Sequence, residues 1–495
     1  MSLINIQKLT FAYPGTYDDI FENVDLALDT DWKLGLIGRN GRGKSTLLNL
    51  LMGKYEYSGN ISSSVIFEYF PYEIENRDDT VEAVIEKAAP DAETWRVRRE
   101  LALLGIDEDI YWRPFSTLSG GEQTKVMIAL MFANDGRFML IDEPTNHIDR
   151  ETRGAIKEYL GSKKGYILVS HDRALLDSCT DHILSINRNN IELTAGNYSV
   201  WEESFRRQQE FELRENDRLE KDIARLRQGA ARAGRWADKV ENTKLHENAF
   251  DKGYIGHQSA KMMKRAKSLE NRQNKAAEEK SKLLKNVEKQ EDLKLFSEPH
   301  HASVLAELKD VAVTYNGRAV NRPVSFRVGA GERICLRGGN GAGKSSIMKL
   351  LKGDGLSYDG EFLRASRLNV SYVSQDTTLL KGSFDDFVNV SGIDKTQFLT
   401  ILRKFDFERK EFEKDISGLS EGQKKKILIA RSLCDRANLY LWDEPLNYID
   451  IYSRVQLEDL ILRYEPTMVF IEHDEYFTEK IATRIIEIEK AADRS

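Results

Sequence analysis

Two short glycine-rich stretches hold the residues best suited to chemistry: GRNGRGKS, beginning at Gly38, and GGNGAGKS, beginning at Gly338. Glycines at this spacing let backbone N–H groups curl around phosphate oxygens, and a helix starting there adds positive potential. The pattern assigns Gly38, Asn40, Gly41 and Gly43, with Gly338, Asn340, Gly341 and Gly343, to the phosphate cradles of two nucleotide sites. Lys44 and Lys344 would reach the β- and γ-phosphates. Ser45 and Ser345 would ligate Mg²⁺, with Thr46 and Ser346 next in the same turn. Two apolar stretches, FMLIDE and LYLWDE, end in acid pairs. Asp142 and Asp443 there suit the metal shell, while Glu143 and Glu444 suit polarising an attacking water.

Those groups can act together only if strand, loop and helix hold them in place. KLGLIG and RICLRG read as apolar strands before the loops, and STLLNLLMG and SSIMKLLKG as amphipathic helices after them. Four motifs recur in one order: the glycine loops, LSGGE and LSEGQ, LIDEP and LWDEP, VSHD and IEHD. Their offsets are 300, 301, 301 and 302 residues, which marks a duplicated domain. The copies are expected at 1–200 and 302–495, with 201–301 between them. The expected fold is α/β, two tandem P-loop domains joined by an α-helical hairpin.

The middle is chemically unlike the rest. Residues 225–275 hold 13 Lys/Arg and 5 Asp/Glu, a net of +8 in a chain whose total is −7. An acidic body with one basic segment suits contact with polyanion at one place. Residues 202–228 and 259–293 are free of glycine and proline. Leu219, Ile223 and Leu226 mark an apolar stripe on the first, and Met262, Ala266, Leu269, Ala276, Leu283 and Val287 one on the second. As helices they would project roughly 40–50 Å from the rest of the chain. The tip, about 229–258, interleaves Trp236, Phe250 and Tyr254 with Arg232, Arg235, Lys239, Lys244 and Lys252, and basic Lys261, Lys264 and Arg265 follow. Aromatics among cations suit stacking on bases and pairing with RNA phosphates. A solvated spacer between the domains is the plainer alternative.

Bulk properties exclude several classes. A chain of 495 residues, 41% apolar and 31% charged, has room for two or more cored domains. No apolar run is long enough to span a bilayer, and MSLINIQKLTFAYPG lacks the pattern of a secretory signal. Cys179, Cys335 and Cys434 form no metal-ligand spacing and no disulfide framework.

LSGGE and LSEGQ resemble the signature motif of ATP-binding cassette (ABC) ATPases, and the other motifs fit that superfamily in both halves. The resemblance implies ATP and Mg²⁺, with two cassettes of one monomer closing head to tail. Ser119, Gly120 and Gly121 would cap the ATP on Lys344, while Ser420, Glu421 and Gly422 cap the one on Lys44. It implies adenine stacking for Tyr13 and Tyr315, γ-phosphate contact for His171 and His473, and D-loops at Asn146–Asp149 and Asn447–Asp450. Gln375 matches the family's metal-side glutamine, but Tyr72 fills the other slot. Glu421 stands where glycine is usual, so both departures fall on the site built on Lys44. That site is expected to turn over more slowly.

With the basic linker, the chain resembles the ABC-F family of translation factors. KLGLIGRNGRGKSTLL, WRPFSTLSGGE, GHQSAKMMKRAKS and WDEPLNYID resemble its antibiotic-resistance branch of Lsa- and Vga-like proteins. That resemblance implies a cytoplasmic protein bound to the 70S ribosome at the tRNA exit site, with no membrane and no transmembrane partner. Its linker would push the P-site tRNA and perturb rRNA around drugs of the peptidyl-transferase centre: lincosamides, streptogramin A and pleuromutilins. Lys244, Leu245, His246 and Phe250 are then the residues expected nearest the drug. Spacings of 46 residues from Tyr72 to Leu118, and 44 from Gln375 to Leu419, leave no room for the arm of some housekeeping relatives. A housekeeping factor acting on stalled ribosomes, or the ATPase subunit of a transporter with separate membrane chains, remain the rival readings.

Overall fold

A computed structural model describes residues 2–491 apart from 16–18, 73, 89, 91, 135, 146–147, 188–189, 247–260, 262–263, 266, 270, 273–274 and 276–292. At 213, 230 and 233–246 it describes the backbone alone. The chain forms two units, one of Met1–Ser199 with Gln290–Ser495 and one of Val200–Lys289.

Each half of the first unit centres on a mostly parallel sheet. In the first half the strand order is Ile66–Phe70, Arg137–Asp142, Tyr166–Val169, Lys33–Gly38, His182–Ile186 and Ile191–Ala195, the last antiparallel to its neighbour. In the second it is Val370–Val373, Leu439–Asp443, Met468–Ile471, Arg333–Arg337 and Arg484–Glu487. Tyr166–Val169 and Met468–Ile471 are buried at every position. Strands covered on both faces need apolar side chains throughout, which is why these segments do not alternate. A smaller antiparallel sheet flanks each, built on Leu3–Phe11 in one half and Val304–Tyr315 in the other. Tyr13 stands two residues after the first of these strands, and Tyr315 ends the second.

This topology gathers the chemistry. In open α/β sheets functional loops collect at the carboxyl ends of the strands. Gly38, Asp142 and Val169 end neighbouring strands of one sheet, as do Arg337, Asp443 and Ile471 of the other. The phosphate loops turn into helices Lys44–Leu51 and Lys344–Lys352 through Gly43 at φ 91° and Gly343 at φ 90°. A side chain there would be strained, which accounts for glycine at both.

One helix runs from Tyr198, at the end of the first unit's amino-terminal half, to His246 in the second unit. The sequence reading ends the helix at 228, because Gly229 and Gly234 each weaken one by about 1 kcal/mol. The alanines and arginines around them are strong enough formers to continue it. Residues 229–246 therefore belong to the helix and not to a loop tip. Trp236, Lys244, Leu245 and His246 sit on its last turns, while Phe250 and Tyr254 lie outside the described residues. Ile223 is buried and Leu219 and Leu226 are partly buried, so the expected stripe is present. Lys261, Lys264 and Arg265 are helical and exposed; of the second expected stripe only Leu269 is described, and it is exposed, while Met262, Ala266, Ala276, Leu283 and Val287 are not among the described residues. By 293 the chain has left the helix, and Leu293 and Leu295 enter the core of the second half. Among the described residues, no helix is long and apolar enough to cross a membrane.

Candidate active sites

At the first site the Lys44 ammonium turns back on its own loop, donating to the carbonyl oxygens of Gly38 at 2.8 Å and Arg39 at 3.3 Å and to Asn40 Oδ1 at 3.4 Å. Lys344 does the same with Gly338 at 2.8 Å and Gly339 at 2.9 Å. Burial lowers the pKa of both lysines, a pressure that an anionic polyphosphate would relieve. Ser45 Oγ donates to Asp142 Oδ2 at 2.8 Å, and the Ser345 hydroxyl bonds Asp443. Each pairing sets a hydroxyl beside a carboxylate, an all-oxygen set that suits Mg²⁺. Asp443 is 1% exposed, and its Oδ1 accepts no hydrogen bond from the described residues. A buried, unpartnered carboxylate oxygen fits a cation, so Ser345 and Asp443, with Ser45 and Asp142 opposite, are the groups that would hold Mg²⁺. When bound, the ion neutralises charge developing on the β- and γ-phosphate oxygens.

Both candidate bases sit in left-handed backbone, Glu143 at φ 51° and Glu444 at φ 47°. Strain at a matching position in each half fits a site that requires those carboxylates to turn inward. Glu143 N donates to Val169 O at 2.9 Å and Glu444 N to Ile471 O at 3.0 Å, which fixes them against the neighbouring strand. His171 Nε2 lies 3.4 Å from Glu143 Oε1, and His473 Nε2 3.6 Å from Glu444 Oε1. The surroundings then diverge. Glu444 Oε2 accepts from Gln375 Nε2 at 2.8 Å and Asn447 Nδ2 at 2.7 Å. Burial raises its pKa, but His473 and Asn447 outweigh that and hold it below the usual value. Burial, then the adjacent Asp142, pushes Glu143 up to about 8.

Tyr72 is the reason Glu143 receives no donor from that slot. Its hydroxyl is buried, without a partner among the described residues, beside a cavity of about 400 Å³ lined by Val84, Met127 and Leu130. A different phenol reaches the metal side. Tyr69 OH donates to Asp142 Oδ2 at 3.0 Å, and Tyr372 OH to Asp443 Oδ2 at 3.4 Å. These tyrosines were not singled out from sequence, although each stands three residues before the Tyr72 or Gln375 slot. Replacing both with phenylalanine is expected to raise the Mg²⁺ needed for half-maximal hydrolysis by about tenfold, as loss of an outer-shell partner does. Titrating Mg²⁺ against the rate checks this; an unmoved midpoint would leave the tyrosines a packing role only.

The halves meet head to tail. Asn40 Nδ2 donates to Tyr448 O at 2.7 Å across the interface. A Cβ on Gly422 would lie 2.5 Å from that carbonyl oxygen and 2.7 Å from Asn40 Nδ2, so only glycine lets the second signature approach the first phosphate loop. Reciprocally, Ile148 and Arg153 of the first half line a cavity of about 340 Å³ with Asn340–Ser346, Gln375, Glu444, Asn447 and His473. Ser119 and Gly120 do not line that cavity; both are exposed, and Ser119 caps its own helix by accepting from Glu122 N at 3.3 Å. Gly121 lies against Thr152. Ser420 likewise caps its helix, accepting from Gln423 N at 3.3 Å. Glu421 turns back to its own half, bonding Thr377 and accepting from Lys424 Nζ at 2.9 Å. The carboxylate expected among phosphates is therefore tied elsewhere, and the Thr377 hydroxyl lowers its pKa. Tyr13 OH and Thr46 Oγ1 are 2.9 Å apart, and Tyr315 OH donates to Ser346 Oγ at 3.3 Å. Both side chains are partly exposed, at 36% and 42%. Asn146 lies outside the described residues.

Comparison with known proteins places this geometry. The ABC transporter family model matches residues 21–146 and 321–447. ATP-binding protein Uup of Caulobacter vibrioides is 28% identical over 486 residues, covering 95% of this chain and 75% of that protein. Ribosome protection protein VmlR of Bacillus subtilis is 25% identical over 477 residues, covering 93% and 82%. Among solved structures, that of the complex of archaeal ribosomal stalk protein aP1 and archaeal ribosome recycling factor aABCE1 aligns with a TM-score of 0.61 at 18% identity, over 97% of this chain and 87% of that one. At that identity the likeness shows the fold alone. Both family matches fall on the halves that carry the phosphate loops, and the chain belongs to the ABC transporter family as an ATPase with two ABC domains.

Proposed function

We propose that this ATPase is an ABC-F protein of the ribosome, working in the cytoplasm, and that the segment between its domains protects translation from drugs of the peptidyl-transferase centre. The observation that carries the reading is the net +8 of residues 225–275 within a chain of net −7. Its described basic residues Lys261, Lys264 and Arg265 are exposed, as RNA contact requires. A ribosome protection protein among the similar chains supports the same target.

In this reading Lys44 and Lys344 hold the phosphates of two ATP molecules, and Glu143 and Glu444 orient water for attack. His171 and His473 face the γ-phosphates, and Tyr13 and Tyr315 stack on the adenines. ATP closes the halves while the protein occupies the exit site; the linker then displaces the P-site tRNA, and hydrolysis releases it. Lincosamides, streptogramin A and pleuromutilins are the drugs this would counter.

Deleting residues 247–258 should leave basal ATP hydrolysis within about twofold while abolishing drug protection in a sensitive host. Ribosome binding should weaken steeply with salt, by roughly tenfold or more between 50 and 200 mM, as phosphate contacts are screened. Undiminished protection by the shortened protein would overturn the reading. No protection by the intact protein, with ribosome binding retained, would favour a housekeeping factor.

A further inference from the structure

The second signature helix, Glu421–Cys434, touches both ATP sites. Its N-terminus serves the site built on Lys44, because Gly422 rests against Asn40 and Tyr448 O. Lys426 on the same helix donates to Asp450 Oδ2 at 2.7 Å, and the charge on Asp450 acts on Lys44 and His171. Between these two residues, Lys425 points the other way.

Lys425 is 2% exposed. Its ammonium donates to the carbonyl oxygens of Ser374 at 2.8 Å, Asp443 at 3.2 Å and Gln375 at 3.4 Å. Three donors on three carbonyls tie one side chain to the strand end bearing Asp443 and Glu444 and to the turn bearing Gln375. Gln375 in turn donates to Glu444 Oε2 at 2.8 Å. All of these belong to the site built on Lys344. Enclosing a cation is costly unless it is fully bonded, so the arrangement persists only where these carbonyls stay in place.

Among the described residues, the first half shows no equivalent tie at the matching position. Motif alignment puts Thr124 at this position, and its hydroxyl donates to Gly120 O of its own helix at 2.9 Å.

We propose that Lys425 is a positioning residue that couples nucleotide occupancy at Lys44 to Glu444 of the other site, and that Thr124, at the matching position of the first half, provides no such coupling. The inference rests on the site assignments above. A rigid helix drawn toward one phosphate carries its ammonium along, and the ammonium carries the Gln375 turn and the base.

The test is a double-mutant cycle in a Glu143→Gln background, where only the Lys344 site turns over. Single-turnover hydrolysis is followed with Lys44→Ala, Lys425→Thr and both. Each alone should slow the reaction by about tenfold, and together they should slow it no further, since residues on one path are not additive. Lys425→Gln, which keeps a donor, should recover part of the rate, and a fluorescent ATP analogue should bind the Lys344 site with unchanged affinity. If Lys425→Thr fails to fold, the cycle is run with Gln. Multiplying rates, or no effect of the Lys425 substitutions, would overturn the coupling alone. Two nucleotides still bound after Lys44→Ala would overturn the site assignment and the coupling with it. Thr124→Ala in a Glu444→Gln background should leave the rate within about twofold; a larger loss would refute the difference between the two positions.

Discussion

A protein carrying Glu143→Gln and Glu444→Gln together is expected to hydrolyse ATP about 10³-fold more slowly than the natural chain while binding it as well. Removing a positioned general base costs roughly 10²–10⁴ in rate. Glutamine matches glutamate in shape, so the left-handed backbone at both positions and the bonds to Val169 O and Ile471 O need not change. What disappears is the ability to accept a proton from water. Bound but unhydrolysed ATP should hold the halves closed, so the variant should sediment with ribosomes at concentrations where the natural protein does not. Phosphate release and ribosome pelleting measure the two effects. Hydrolysis within tenfold of normal would remove both glutamates from the chemistry, and a variant free of ribosomes in ATP would remove the target. The single substitutions should differ. Glu444 is oriented by Gln375, Asn447 and His473, whereas Tyr72 withholds the donor that Gln375 supplies, so Glu444→Gln should remove the larger share of turnover.

The phosphate loops, acid pairs and histidines were legible because each is a short contiguous pattern repeated some 300 residues later. Repetition at constant offset is hard to produce without a shared fold. The groups that tune these motifs were not legible. Tyr69 and Tyr372 reach the aspartates from neighbouring strands, and a lone tyrosine on a buried strand reads as core. Lys425 sits in KKK, which from sequence is a solvated run, yet two of its three lysines are buried on carbonyl and carboxylate oxygens. Glu421 could be read as an acid near phosphate only while Thr377, its partner on a distant turn, was out of view. The helix ending at His246 was misjudged for a different reason, since propensity penalises each glycine without weighing the long helix on either side.

The least legible feature is a buried ion pair between the halves. Arg173, only 4% exposed at its side chain, crosses from the first half to pair with Glu458 and lies 3.5 Å from Asp474, carboxylates that are 1% and 5% exposed. Elsewhere between the halves the first presents Arg150, Arg153 and Arg42, and the second presents Glu475, the His473 carbonyl and Asp406. Pairing two first halves, or two second halves, would oppose like charges, so the arrangement favours one copy of each within a single chain. Breaking a buried pair costs about 3–5 kcal/mol, because the abandoned carboxylates stay desolvated. Lys480 still holds Glu458 at 2.9 Å and Arg454 still holds Asp474 at 2.8 Å, which places Arg173→Ala at the low end. About 3 kcal/mol is a factor of about 10² in the balance between closed and open forms. The variant should need correspondingly more ATP for compaction, measured by small-angle scattering, and for half-maximal hydrolysis. Arg173→Glu should be worse, and exchanging the charges with Arg173→Glu and Glu458→Arg should restore part of the loss. If Arg173→Ala compacts at the same ATP concentration as the natural protein, the halves are held together by something other than this buried charge.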